Sequence, residues 1–512
     1  MNGDWRRLDK RAVPVAAVTM VGVAFLAGVP SAIGLSGISV GVALAWVLPG
    51  AVVVIAAGAG AAWLDWRFTR YQVGAERVEV RSGVLIRNRR SLQRDRIRTV
   101  DVTADPLQRV FGVVTVRIGT GEHSKGGTVQ LRPVARATGD ELRRVLLARV
   151  STSVPADGRL ATFDLGWIRY APLSFLAPAL GAAAVGGLFN VADWFGRVEG
   201  LVGWAIDLLA GLGLIGAIAV LVAVTLLIGT IGALGFWIEM WWAYRLDREA
   251  GGTLRVRRGL FTTRSISVEE ERLRGVDVVE ALGTRLAGAA RVDAVATGLP
   301  TTVEDNKADQ RTLLPAVPRA LADRVAADVL REEVSPTAAV VLSPHPIAAR
   351  GRRVRWALAT VLAGELPLIV LGVLLTEVLL HVAWITAALA LPIALVLAVD
   401  AYRSLGHGRV GGYLVTRSGT IRRSTVALQR RGIIGWTVRQ SAFQRRAGLA
   451  TVWATTAAGA GAYAIRDVGA ETGLAAADAA VPGLLTPFLA PLPDSRPVTD
   501  ETVAESTAAG EA

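Results

Sequence analysis

GTIRRSTVALQRRGIIGWTVRQSAFQRRAGLATVWATTAAG, Gly419 to Gly459, is one of three copies of a single stretch. The same frame runs from Gly83 (GVLIRNRRSLQRDRIRTVDVTADPLQRVFGVVTVRIGTG) and from Gly259 (GLFTTRSISVEEERLRGVDVVEALGTRLAGAARVDAVATG). The marks keep their spacing without a gap. An aromatic lies 17 residues before each first glycine (Trp66, Trp242, Tyr402), and a branched aliphatic 14 after it (Ile97, Leu273, Ile433). An arginine follows at 26 (Arg109, Arg285, Arg445) and a second glycine at 29 (Gly112, Gly288, Gly448). A repeat of this kind decides architecture before any single motif does.

Each copy has the signature of β structure. Val78 to Arg81 alternates apolar with polar, Val113–Ile118 is rich in β-branched residues, and glycines separate the short runs. This alternation predicts antiparallel sheets with one buried face. Amphipathic helices are expected to close the first two copies at Gly139–Val150 and Pro318–Leu330, the latter opened by its proline. The third copy shows no clear counterpart; Pro482–Leu489 is short and broken by Pro487.

Apolar blocks come in pairs ahead of the copies: Val13–Pro30 with Ile38–Leu64, Ala171–Val191 with Leu201–Ile238, and Ala357–Thr376 with Val382–Val399. About 20 helical residues cover the hydrocarbon core, so three helical hairpins and six spans are expected. Leu201–Ile238 is too long for one span, and its first part, with Asp207, is expected at the interface before a span from about Gly211 to Trp237. The hydrophobic fraction of 52% agrees with an integral membrane protein. The resulting division is a basic tail (1–12), hairpin 1 (13–65), β domain 1 (66–155), hairpin 2 (168–241), β domain 2 (242–334), a basic linker (335–356), hairpin 3 (357–400), β domain 3 (401–489) and an acidic, disordered tail (490–512).

The net charge of +13 is unevenly spread: residues 66–150 hold 18 basic and 8 acidic side chains and 400–489 hold 11 and 4, while 243–334 balance at 15 and 15. Beside membrane spans, anionic lipid is the nearer partner for such surface than nucleic acid. The arginines lie in the tail, the copies and Arg350–Arg355, and the hairpin tips carry almost none. The positive-inside rule then places the N-terminus and all three β domains in the cytoplasm.

The third copy, from LQRRGIIGWTVRQ through SAFQRRAG, resembles the bacterial pleckstrin-homology-like (PH-like) domain, second family. The order of hairpin and domain resembles the YdbT-type multi-pass membrane proteins, over nearly the whole chain. The motif is full in the third copy (Gln429-Arg430-Arg431, then Ser441 to Gly448) and good in the first (Gln93-Arg94, Gln108-Arg109, Gly112). In the second it is degraded: Glu269 stands for Gln429, and Ala281–Gly283 for Ser441–Phe443. The resemblance implies an α+β membrane protein, each hairpin followed by a barrel-like β-sandwich with a C-terminal helix, at the inner face of the plasma membrane. It implies binding rather than catalysis, no cofactor, a shorter one-domain relative as partner, and a loose association with envelope stress and resistance to membrane-active peptides.

No cysteine is present, and the four histidines show no metal-ligand spacing. No Walker A, G-x-S-x-G or H-E-x-x-H motif occurs, and the G-x-G-x-x-G at Gly211–Gly216 lies inside an apolar block, where phosphate has no place. Candidate contacts to anionic lipid are Arg87, Arg89, Arg90, Arg422, Arg423, Arg430 and Arg431. Glu365, nine residues into the fifth block, is the candidate intramembrane functional acid. It also supports the alternative reading, a transporter or channel component built on the six helices. The glycines Gly83, Gly112, Gly259, Gly288, Gly419 and Gly448 are the structural signature.

Overall fold

The computed structural model describes residues 5–487, apart from 36–39, 75, 84–86, 98, 120–127, 148–157, 175, 250–251, 299–310 and 486. The acidic tail 490–512 lies outside these residues. Among the described residues, six helices are long and apolar enough to cross a membrane. They pair as Ala12–Leu35 with Val40–Phe68, Leu176–Trp194 with Gly213–Trp241, and Ile347–Leu374 with Glu377–Arg403. The overlong fourth block breaks where its length and Asp207 predict. Val198–Leu209 is a separate helix, Ala210–Leu212 turns, and Gly213, at φ +64°, starts the span in a backbone state that glycine tolerates. Small residues let the second hairpin close tightly: a Cβ on Gly229 would lie 2.0 Å from the Ala177 carbonyl oxygen.

Among the described residues, twenty strands form four antiparallel sheets. The first contains β1 (Arg6–Arg7), β2 (Arg70–Val73), β3 (Arg77–Ser82) and β4 (Asn88–Gln93), in that order. The basic tail is therefore not a separate segment. Its Arg6 and Arg7 pair with Tyr71 and Arg70 and extend the first sheet, while Leu8 joins that module's core. The second sheet uses β5 (Thr99–Ala104), β6 (Val113–Gly119), β7 (Thr128–Ala135), β8 (Gly158–Thr162), β9 (Arg245–Glu249), β10 (Thr253–Arg258) and β11 (Thr263–Glu269), in the order β7-β6-β5-β11-β10-β9-β8. The third uses β12 (Leu273–Ala281), β13 (Ala289–Ala296), β14 (Thr312–Pro318), β15 (Gly406–Val410), β16 (Tyr413–Ser418) and β17 (Arg422–Gln429), in the order β14-β13-β12-β17-β16-β15. The last is β18 (Ile433–Arg439), β19 (Leu449–Thr456) and β20 (Ala462–Gly469).

Each copy thus contributes two half-sheets facing one core, with a closing helix. The signature glycines explain the turns: Gly83, Gly259 and Gly419 all take φ between +103° and +113°. A Cβ at Gly259 would meet the Thr262 carbonyl oxygen at 1.9 Å, and one at Gly419 the Arg422 oxygen at 2.1 Å. Closing helices run over Arg136–Leu147, Arg319–Leu330 and Ala470–Ala480. The third lies ahead of Pro482–Leu489, the segment that the sequence suggested. Its buried face is Gly473, Ala477 and Ala480, too small to give a strong apolar stripe.

The half-sheets do not stay within their own copy. The second half of each copy hydrogen-bonds, strand to strand, with the first half of the next: β5 with β11, and β12 with β17. The register repeats. Thr263, Arg264 and Ser265 face Ala104, Thr103 and Val102 at the first joint. Their counterparts Arg423, Ser424 and Thr425 face Glu280, Val279 and Val278 at the second. The three modules are thus joined in series by shared sheets, and at the second joint the cores touch, as Tyr413, Val415 and Ala427 join the core of the second module.

Candidate functional site

The two joints share a register but not a charge pattern. At the second joint Glu280 is 5% exposed and accepts both Nε and Nη2 of Arg423, at 2.9 and 2.8 Å, with Arg319 at 3.0 Å. Burial alone would raise its pKa; the Arg423 and Arg319 guanidinium groups outweigh that and hold it below the ordinary glutamate value. Arg285, the arginine at offset 26, reaches Asp400 at the end of the sixth span, at 2.8 Å. Ser424 donates to Asp277, whose pKa burial and neighbouring Asp293 push up to about 6. Arg285, Arg319 and Arg423 thus each end on a carboxylate.

At the first joint the position of Glu280 holds Ala104, and that of Asp400 holds Met240. The arginines remain. Arg109, the counterpart of Arg285, donates to the Leu260 carbonyl. Arg136 begins the first closing helix, with its N–H on the Gly112 carbonyl, as Arg319 begins the second on Gly288. That helix adds Arg143 and Arg144 where the second has Ala326 and Ala327. Across the joint, β10 supplies Arg255, Arg257 and Arg258, and β11 supplies Arg264.

These side chains line a cavity of about 530 Å³, in the range of small-molecule pockets. Eight arginines and only two carboxylates, Asp140 and Glu249, are in its wall. Glu249 is shared: Arg143 donates to it at 3.1 Å and Arg255 at 3.0 Å, while Arg257 stands at 3.9 Å. Asp140 lies 3.6 Å from Arg255. Burial, then the repulsion of Arg143 and Arg257, lower the pKa of Arg255. Arg143 is 3% exposed and its Nε has no hydrogen-bond partner among the described residues. Chemically, this wall can hold oxyanions through forked guanidinium donors.

The residues singled out from sequence have mixed fates. Arg430 sets its guanidinium on the Ala480 and Ala479 carbonyls at the end of the third closing helix, and Arg94, its counterpart, does the same to Val145. Arg423 is engaged by Glu280. Arg423 and Arg430 thus act as ties within the fold. Arg89 pairs with Glu79 at 2.8 Å, and Arg422 lies 3.7 Å from Asp293. Arg431 donates to its neighbour Gln429, and Arg87 and Arg90 are exposed at the rim of the first sheet. Glu365 is buried between the fifth and sixth spans, where Thr386 donates to it at 3.0 Å, an interhelical bond.

The basic stretch Arg350–Arg355 is not a linker: it forms the first turns of the helix Ile347–Leu374. Arg352 and Arg353 grip Asp467, fully buried in β20, which also accepts from Gln444 at 2.8 Å. His345 meets the Asp467 carbonyl at 3.2 Å and His407 at 3.1 Å. Burial and its histidine neighbour push His407 down to about 4; burial also lowers His345. Motif spacing alone misses this cluster and the cavity arginines. Position-by-position comparison of the copies holds the signal for the cavity: Ala104 against Glu280 and Met240 against Asp400.

The sequence model of the Bacterial PH domain family matches residues 21–150, 200–333 and 358–480, together more than half the chain. No curated protein and no solved structure matches it. Three matches in series, each spanning hairpin residues and the sandwich behind them, place the chain in the bacterial PH domain family as a membrane protein with three copies of its module.

Proposed function

We propose that this protein is a non-enzymatic scaffold of the bacterial plasma membrane, with the N-terminus and the PH-like modules on the cytoplasmic side. It works by binding membrane lipids and a further, smaller PH-like membrane protein. Envelope stress and resistance to membrane-active peptides are the settings in which such a scaffold serves. The observation that carries this reading is the open half of a third joint. β18 is the outer strand of its sheet and corresponds to β12. Val278 of β12, paired with β17, is fully buried, whereas its counterpart Val438 is 42% exposed, and Ile434, four residues earlier on β18, is 64% exposed. Gly435 stands where Gly275 lets β12 approach β17. A Cβ on Gly275 would strike the Ala427 carbonyl oxygen at 1.9 Å, and one on Gly435 meets nothing within 4 Å. Arg445, counterpart of the joint-spanning Arg109 and Arg285, is exposed.

An unpaired, apolar strand edge is a template for strand addition. A second copy of this chain suits it poorly. In the register of the two joints β4 would bring Arg87, Arg89 and Arg90 against Gln440, Val438 and Thr437, with Arg439 adjacent and no carboxylate on either strand. The test is a photo-cross-linking residue at position 438 of the full chain in its native membrane. The expected adduct is a membrane protein attached through an exposed strand of its own PH-like module, and Ile434→Lys should abolish it. Adducts to lipid alone, or adducts indifferent to Ile434→Lys, would sink the reading.

A further inference from the structure

We infer that the cavity at the first joint is a binding site for a multi-oxygen anion of the phosphate class, which takes the place of the carboxylates built into the second joint. The comparison is internal to one chain. Both joints use the same strand register, and both bring in an arginine at offset 26 and an arginine at the head of the closing helix. At the second joint these two, Arg285 and Arg319, end on Asp400 and Glu280. At the first, those positions are Met240 and Ala104; Ala104 lines the cavity with Arg109 and Arg136, and Arg143 and Arg144 are added. Arg143 is buried in this wall, Arg109, Arg136 and Arg144 are exposed around it, and with two carboxylates among the lining residues the cavity of about 530 Å³ carries a positive field that favours an anion. Guanidinium forks match phosphate oxygens two at a time, and the volume admits a group with more than one phosphate or a phosphate with its substituent.

The ligand chemistry has two sources, a soluble phosphate compound or the headgroup of an anionic lipid. The site does not depend on what docks at β18. The test uses the full chain in nanodiscs of zwitterionic lipid, titrated with tripolyphosphate by calorimetry, and in nanodiscs containing phosphatidylglycerol, read by thermal unfolding. Three variants accompany each arm. Arg136→Gln and Arg144→Gln change exposed side chains and should leave folding intact, while Ala104→Glu installs the carboxylate of the second joint.

If the ligand is soluble, tripolyphosphate binds the zwitterionic sample, at least 10-fold more weakly after either arginine change and not at all to Ala104→Glu. If it is a headgroup, tripolyphosphate binding is absent. Phosphatidylglycerol then raises the unfolding temperature of the parent chain, and the same variants lose that rise. Anion effects equal in the parent chain and both arginine variants would overturn the assignment, whatever Ala104→Glu does to folding. So would the absence of any effect in both arms.

Discussion

The two joints of this molecule are the same backbone solution with different side-chain chemistry. At the second, seven residue pairs run from Gly275–Leu428 to Ala281–Arg422. At the first, three pairs run from Ala104–Thr263 to Val102–Ser265. The longer pairing requires a glycine at offset 16, because the next strand's carbonyl oxygen occupies the space of its Cβ. The first copy has Thr99 there. Charge differs too: the long joint sets Arg285, Arg319 and Arg423 on carboxylates, and the short one gathers eight arginines around a cavity with two. Strand pairing fixes how modules join, and the side chains around it decide whether the seam is closed or left to bind.

The largest effect should come from breaking the long joint at its backbone. Gly275→Ala places a methyl group on the Ala427 oxygen and is expected to cost about 4 kcal/mol. Gly435→Ala, in open space, should cost under about 1 kcal/mol. Denaturant unfolding of the reconstituted protein compares the two directly; equal costs would mean that the joint does not bear on stability.

Next comes the tie between the third hairpin and its module, which neither joint resembles. His407 is held neutral, with its folded pKa near 4 and an unfolded value near 6.5. Below pH 6.5 the unfolded chain binds the extra proton, so stability present above that value is lost as pH falls toward 4. The loss approaches about 3 kcal/mol at the acid end. His407→Phe should remove this part of the pH dependence, read as the difference between the two unfolding curves across that window. A difference that stays constant with pH would refute it.

A smaller effect tests charge closure at the second joint. Glu280→Ala leaves Arg319 and Arg423 without their shared carboxylate. Both arginines retain some water, so the expected cost is about 2 kcal/mol. Because Glu280 titrates below its ordinary value, the cost should appear at neutral pH and fade as pH falls through the carboxylate range. Unaltered stability at neutral pH would show that the carboxylate shared across this joint is not a stabilising feature.

Much of this architecture is legible in the residues alone. Apolar blocks long enough to span a membrane, and glycines at constant spacing in turns that forbid a Cβ, are local facts, and local facts survive into the fold. The Gln-Arg motif is visible too, but its use is not. Arg430 reads as a surface cation because the carbonyls it caps belong to a helix some fifty residues later. That helix is itself obscure in the sequence, since alanines and a glycine give little apolar contrast. Glu365 is visible as an acid in an apolar block, while its partner Thr386 comes only with the hairpin's packing.

The sequence by itself determined the number of modules, their order, the spans and the turns, because each rests on spacing within a few tens of residues. Only the tertiary structure decided that the modules share sheets. Backbone hydrogen bonding between β5 and β11, or β12 and β17, leaves no mark in residue type: any edge strand of suitable twist can accept another. The arginine cavity follows from that same step. Its walls come from strands and a helix separated by more than a hundred residues, and their excess charge becomes local only once the first two modules are joined.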